Sequence, residues 1–326
     1  MEVVASAPAK VILFGEHFVV YGKPAIVMAI NKRAYVKAKK RDDKKIYINS
    51  LNLKASGFFE NEKFTPKTGG LEARKKLEPV KAVIERIFQL HERKCGLEVE
   101  IDSKIPVAAG LGSSAAVAAA TAMAVSTLFD IKIEKKEIFN IAYEAERLVH
   151  GTPSGIDPAI ATYGGTMIFQ NMNMQSLTVS CEIPLVIGNT GLERSTGELV
   201  AKVRINKEKY PSIVNPIIEA GGEIAERARR ALENGEIEVL GELMNINHSL
   251  LSAVGVSHKL LDRLVAAARE AGALGAKLTG AGGGGCMIAL AHRETLGKVA
   301  SAIKEAGGTA FIAERSDEGV RIEAKR

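Results

Sequence analysis

Residues 105–116, Ile105-Pro106-Val107-Ala108-Ala109-Gly110-Leu111-Gly112-Ser113-Ser114-Ala115-Ala116, constrain this chain more than any other stretch. A short apolar strand candidate, Leu97 to Ile101, leads toward it, and an Ala-rich run from Ala115 to Leu128 leads away. That run has no Gly or Pro and is dense in Ala, so it reads as a helix. The segment between is then a small-residue loop that opens a helix. Gly110 and Gly112 let the backbone take unusual angles and come close to a ligand. Ser113 and Ser114 place hydroxyls and unpaired N–H groups at the helix start, an arrangement that favours anions and phosphate above all. A nucleotide phosphate loop is the first hypothesis. A plain Ser cap after a Gly turn competes with it. So does a dinucleotide fingerprint, because Gly110-x-Gly112-x-x-Ala115 fits G-x-G-x-x-A and Asp130 falls 20 residues after Gly110. No second strand separates the helix from Asp130, which counts against that fit. A Walker-type P-loop is excluded, since no Gly-Lys-Ser/Thr ends the loop.

The length of 326 residues suggests about two domains. The net charge of +6 would suit nucleic acid, but the basic residues are spread out and aromatic RNA-binding motifs are lacking. Mild positive charge also suits anionic substrates. Cys95, Cys181 and Cys286 form neither a CxxC pair nor a disulfide framework, which fits a reducing compartment. The N-terminus does not resemble a signal peptide, and no apolar run approaches the roughly 20 residues of a membrane span. A soluble, cytoplasmic protein is expected.

Along the chain, Val11 to Phe14 reads as a strand and Ala25 to Ile30 as another, with Gly15-Glu16-His17 between. Arg33 to Lys39 and Lys45 to Asn49 read as a hairpin across a charged tip, and residues 52–70 as loop with one short strand. Pro79 is expected at the first position of a helix running to about Arg93. Glu134 to Val149 reads as an amphipathic helix with Ile138, Ile141, Ala142, Ala145, Leu148 and Val149 as its stripe. Strand candidates at Leu177 to Cys181 and Leu185 to Ile187 are followed by helices near 195–207, 211–233, 236–252 and 257–271. The glycine run Gly280 to Gly285 leads into a strand at Cys286 to Leu290, a helix (293–306) and short strands at 309–313 and 319–323. This mixture without strict alternation predicts an α+β protein, divided softly into 1–175 and 176–326.

Phosphoryl transfer needs positioning, a metal, positive charge and a group to orient the nucleophile. Ser114 and a carboxylate could hold Mg²⁺, Lys10 could supply charge, and Asp157 could act as base toward a hydroxyl. Against these stand ordinary roles: Asp157 before Pro158 as a helix cap, Lys10 as a strand-edge charge, Glu144 and Glu146 as solvated helix residues on opposite flanks of the stripe. Periodicity does not choose between those glutamates. The histidines lack metal spacing, so no zinc site is expected. The glycine run is either a tight turn between strands or a loop that closes over a ligand.

Three separated segments, taken together, resemble the GHMP kinase superfamily. They are Ala7-Pro8-Ala9-Lys10-Val11-Ile12-Leu13-Phe14-Gly15-Glu16-His17, then Pro106 through Ala116, then Lys277 through Cys286, in the family's order. KVILFGEHFVVYGKPAI (Lys10 to Ile26) and Glu146 through Asp157 are most similar to the mevalonate kinase branch. The resemblance implies a two-domain fold, with an N-terminal domain like ribosomal protein S5 domain 2, a ferredoxin-like C-terminal domain, and the active site in the cleft between. It implies Mg²⁺-dependent transfer of the ATP γ-phosphate to the 5-hydroxyl of mevalonate. By position, Asp157 would be the catalytic base and Lys10 its partner. Pro106, Ala109, Gly110, Leu111, Gly112, Ser113, Ser114 and Ala115 would cradle phosphate, and Ser114 and Glu146 would ligand Mg²⁺. Glu16, His17, Thr196, Gly280 and Ala281 would line the substrate side. Many members are homodimers. Another kinase of the superfamily, a diphosphomevalonate decarboxylase and a nonenzymatic sensor on the same scaffold are the alternatives.

Overall fold

The computed structural model describes residues 1–92, 95–107, 109–150, 154–171, 173–193 and 195–326. Two strands begin the chain, β1 (Glu2–Phe14) and β2 (Ala25–Arg41), separated by a single 3-10 turn at Phe18–Tyr21. Next come β3 (Ile46–Ser50), β4 (Ala55–Glu60), β5 (Lys63–Thr68), α1 (Glu72–Leu90) and β6 (Gly96–Ser103). Then follow α2 (Ser113–Leu128), α3 (Lys135–His150), α4 (Ile156–Tyr163), β7 (Thr166–Gln170) and β8 (Asn173–Ser176). The second half holds β9 (Leu185–Asn189), α5 (Thr196–Lys209), α6 (Pro211–Asn234), α7 (Ile237–Ala253), α8 (Lys259–Glu270), β10 (Gly275–Leu278), β11 (Cys286–Leu290), α9 (Leu296–Glu305), β12 (Thr309–Ala313) and β13 (Arg321–Lys325).

Among the described residues the strands form two sheets. The first runs β13-β1-β2-β6-β3-β4-β5, with β7 and β8 continuing from the first part of β2. The second runs β10-β11-β9-β12. The expected hairpin between β2 and β3 is not made: β6 inserts between them, antiparallel to β2 and parallel to β3. Residues 52–70 hold two paired strands, β4 and β5, rather than one. β5 is largely exposed, so the hydrophobic alternation that would announce it is faint. The strand expected at 177–181 is absent; β8 ends at Ser176, and the chain then crosses toward the second sheet. The last strand returns to pair with β1, so the chain's end lies in the first sheet.

Helix α1 starts seven residues before Pro79, which lies inside it. Ala73, Leu77, Val80 and Ile84 form a buried stripe through the proline, so tertiary burial overrides the local cost of the missing N–H. Residues 93 and 94, where the helix was expected to end, lie outside the described residues. Helix α2 is buried around most of its circumference, and its alanines let β1, β2, α1, α3 and α4 approach closely. In α3 the expected stripe holds at Ile138, Ile141, Ala142 and Ala145, but Leu148 is exposed, and nothing is described for the Val149 side chain. No described helix is long and apolar enough to cross a membrane.

Candidate active site

Lys10 sits on the central strand β1. Its backbone N–H donates to the Leu111 carbonyl at 3.0 Å, so the strand is tied directly to the loop that opens α2. Its ammonium lies 3.1 Å from Asp157 Oδ1. The lysine side chain is 9% exposed and the aspartate 27%, which leaves this ion pair open to a ligand on the aspartate side. Asp157 does not cap α4: the cap position is Gly155, with φ 78°, and Asp157 lies within the first turn. Its carboxylate is therefore spent on Lys10 rather than on the helix end.

Gly112 brings the loop against this pair. Its φ is 73°, and a Cβ there would lie 3.0 Å from Lys10 Cγ and 3.4 Å from Asp157 Oδ2. A side chain would be strained in its backbone, would crowd Lys10 and would touch Asp157. No side chain caps the first turn of α2, where the leading N–H groups have no intrahelical partners. Ser113 Oγ is turned toward Ser103 Oγ at 3.4 Å, while Ser114 is exposed. Gly110 is exposed with φ 75°; Ala109, Leu111 and Ala115 are buried, Pro106 is half-buried, and Ala108 lies outside the described residues. Beside the loop, Ser50, Asn52, Leu77, Val80, Val117 and Ala118 help line a largely apolar cavity of about 210 Å³, which also includes Ser113 and Ser114.

The two glutamates of α3 separate cleanly. Glu144 is exposed and paired with Arg86 of α1, 2.9 Å from its Nε. Glu146 turns inward. Its Oε2 is buried and has no hydrogen-bond partner. Burial, and then the negative charge of Asp157, push its carboxyl up to about 8, with Lys10 pulling the other way. An orphaned, buried carboxyl oxygen beside an aspartate fits a divalent cation, which would supply the missing partner and favour the charged form. Among the described residues no group of three or more His, Cys, Asp or Glu side chains could hold a metal, so a cation here would rely on few protein oxygens and on phosphate or water.

The third segment crosses from the second sheet to the first. Lys277 of β10 and Glu16, between β1 and the 3-10 turn, form an ion pair with both side chains fully buried. Burial pushes Lys277 down, and Glu16 pulls it back. Lys277 Nζ also donates to the Leu278 carbonyl at 2.8 Å, and Asn247 Nδ2 of α7 donates to Glu16 Oε2 at 3.3 Å. Thr279 Oγ1 donates to the Ile12 carbonyl at 2.9 Å and accepts from the Ile12 N–H at 3.1 Å. His17 has φ 60° and its Nε2–H donates to the Ala281 carbonyl at 2.8 Å. The glycine run joins β10 to β11, and its geometry needs glycine: a Cβ on Gly282 would fall 2.0 Å from the Val256 carbonyl oxygen. Gly283 and Gly284 pack on Leu199 and Leu192, which sets the start of α5, with exposed Thr196 in its first turn, beside this loop. Arg194 and Gly151 to Pro153 lie outside the described residues.

Lys10, Asp157 and Gly112 are thus brought together as the sequence suggested. Glu16, placed on the substrate side by the resemblance, is instead buried with no accessible side-chain surface. Sequence reasoning assigned no role to Lys277, Thr279 or Asn247. A lone lysine in the apolar stretch Gly275 to Leu278 was the available signal for the first; nothing local distinguishes the other two.

The family model for the GHMP kinases N terminal domain matches residues 78–165, and that for the GHMP kinases C terminal matches residues 228–309. The chain belongs to the GHMP kinases, and it is an ATP-dependent kinase with the two-domain fold of that family. Within the family it is 48% identical to a mevalonate kinase of Thermococcus sibiricus, over 99% of both chains. It is 41% identical to one from Archaeoglobus fulgidus, over 98% of this chain and 99% of that one. Among solved structures, L. major mevalonate kinase in complex with R-mevalonate superposes with a TM-score of 0.83 at 28% identity, covering 97% of this chain and 96% of that one. The Methanococcus jannaschii mevalonate kinase gives the same score and identity, over 97% and 99%.

Proposed function

We propose that this protein transfers the γ-phosphate of ATP to the 5-hydroxyl of (R)-mevalonate. The observation that carries the chemistry is the Lys10–Asp157 pair set against Gly112 at the mouth of α2. The substrate rests on full-length identity to kinases named for mevalonate.

In this reading the loop from Pro106 through Ala115 holds the β- and γ-phosphates, chiefly through backbone N–H groups at the start of α2. Asp157 accepts a hydrogen bond from the substrate hydroxyl and orients it toward the γ-phosphate, taking its proton as the new bond forms. Lys10 pairs with Asp157 and offsets phosphate charge. Ser114 and Glu146 would hold Mg²⁺, which when bound neutralises charge on the phosphates. His17, Gly280, Ala281 and Thr196 line the substrate side, with Glu16 behind them. The apolar cavity beside Ser113 suits the adenine ring. The same reading places the enzyme in the cytoplasm as a homodimer. It divides the chain into units 1–175 and 176–326, β13 returning to the first sheet.

The test is Mg²⁺-dependent ADP release from ATP with mevalonate, phosphomevalonate, homoserine and galactose in parallel. Turnover confined to mevalonate is expected. Turnover confined to another alcohol would keep the fold and loop and remove the substrate assignment. CO₂ release with ADP would point to a decarboxylase.

A further inference from the structure

β10 ends one residue after Lys277, and the chain runs on through Thr279 and Gly280, with φ 77°, into the glycine loop. Three groups along this stretch reach toward the first sheet. Lys277 meets Glu16, Thr279 meets Ile12 and the Ala281 carbonyl meets His17. Ile12, in turn, is two residues from Lys10 on β1. This seam therefore joins the second sheet to the very strand that carries Lys10. Its hydrogen bonds at Ile12 and Ala281 run to backbone carbonyls. At its deep end is a lysine with no accessible surface, facing a glutamate with none.

Such a pair is costly to bury and is a poor way to gain stability alone, because well-packed apolar groups do as well. What it does supply is directionality. The glutamate accepts from Lys277 through one oxygen and from Asn247 through the other, so it takes one orientation between two elements of the second half. It lies between Gly15, with φ 94° and pressed on Pro24 and Ala25, and His17, with φ 60°. Gly15 takes its positive φ freely, whereas His17 at φ 60° is held against its own preference, by the turn's backbone hydrogen bonds and by contacts from outside. Lys277, through Glu16, and Ala281 supply those outside contacts.

We propose that Lys277, acting through Glu16, is a positioning residue for phosphoryl transfer: the buried pair locks the Gly15–His17 turn to the glycine loop and so fixes the substrate wall relative to Lys10 and Asp157. Glu16 is then part of this latch rather than a substrate ligand. The inference rests on the kinase reading above, though not on which alcohol is phosphorylated.

The test compares Lys277→Met, Glu16→Gln, the double variant and Asn247→Leu with the wild type, measuring kcat, KM for both substrates and Tm. Rates are taken as ratios to the wild type with whichever alcohol of the panel it phosphorylates. A wrong substrate assignment thus appears in the wild type and leaves the ratios intact. Each single charge variant leaves its partner buried and unpaired. Each is expected to lower kcat about a hundredfold, the cost of misplacement at a distance from the chemistry, with KM little changed. The double variant restores charge balance and is expected to recover much of that loss. Asn247→Leu strands no charge and is expected to give a smaller fall in kcat; it decides the matter alone if the charge variants do not fold. Wild-type kcat in folded variants would reduce the pair to a structural feature. A raised KM for the alcohol with unchanged kcat, and no recovery in the double variant, would make it a substrate contact. Either result overturns the proposal.

Discussion

Lys10–Asp157 and Lys277–Glu16 are made of the same chemical groups and differ in what surrounds them. The first pair has an aspartate 27% exposed at the mouth of a helix-opening loop; the second has no exposure on either side. Lys10 and Glu16 even belong to one short segment of chain. An ion pair with an open side can exchange its partner for a substrate hydroxyl or a phosphate. A pair sealed between two sheets cannot, and its charge serves to orient what it joins. The comparison separates groups that act on the reactants from groups that hold the acting ones in place.

The largest effects should come from the open pair. Asp157→Asn and Lys10→Met are each expected to lower kcat by about 10²–10⁴-fold. The double variant should fall little further, because the two act as a unit. Steady-state rates of the three proteins would check this, and additive losses would break the unit apart. Gly112→Ala should follow, since its Cβ would lie 3.0 Å from Lys10 Cγ on a strained backbone. A fall in kcat of about tenfold or more is expected, in line with displacement of the reacting groups. A wild-type rate would mean that the loop does not set the pair's position.

Glu146 sharpens the comparison through pH. Its folded carboxyl titrates near 8 against an ordinary value of 4.5, so the folded state holds the proton over that interval while the unfolded state releases it. The contribution is fully present below 4.5 and is lost as pH rises through about 8. Without metal, Tm should decline across this window more in the wild type than in Glu146→Gln. Mg²⁺ affinity should rise over the same window, since the cation needs the charged carboxylate. Calorimetric titration at two pH values would check both the affinity and the proton released on binding. The smallest effect belongs to Glu144→Gln. That glutamate is exposed on Arg86, and its loss should leave kcat unchanged and stability within about 0.5 kcal/mol by chemical denaturation.

What the sequence made legible was local. The helix-opening loop depends on two glycines and two serines within five residues, and α6 to α8 fall within two residues of the spans expected for them. The pairing of distant strands is not written that way. Nothing in Lys45 to Asn49 says that β6 will lie between it and β2, and nothing in the final residues says that they will return to β1. Pro79 misled because a local rule about helix starts yields to a buried stripe that runs through it. Glu144 and Glu146 are symmetric about their helix stripe, and only the packing of α1 on one flank and Asp157 on the other distinguishes them. Glu16 and Asp157 are both motif carboxylates, and their different burial is a property of the assembled sheets.

The most direct measurement is kcat of Asp157→Asn, taken with its ATP affinity and Tm on the same preparation. A fall of about 10²–10⁴-fold, with ATP still bound and Tm close to wild type, is the predicted result. Near-normal turnover in a folded, ATP-binding variant would contradict the assignment of the chemistry to the Lys10–Asp157 pair.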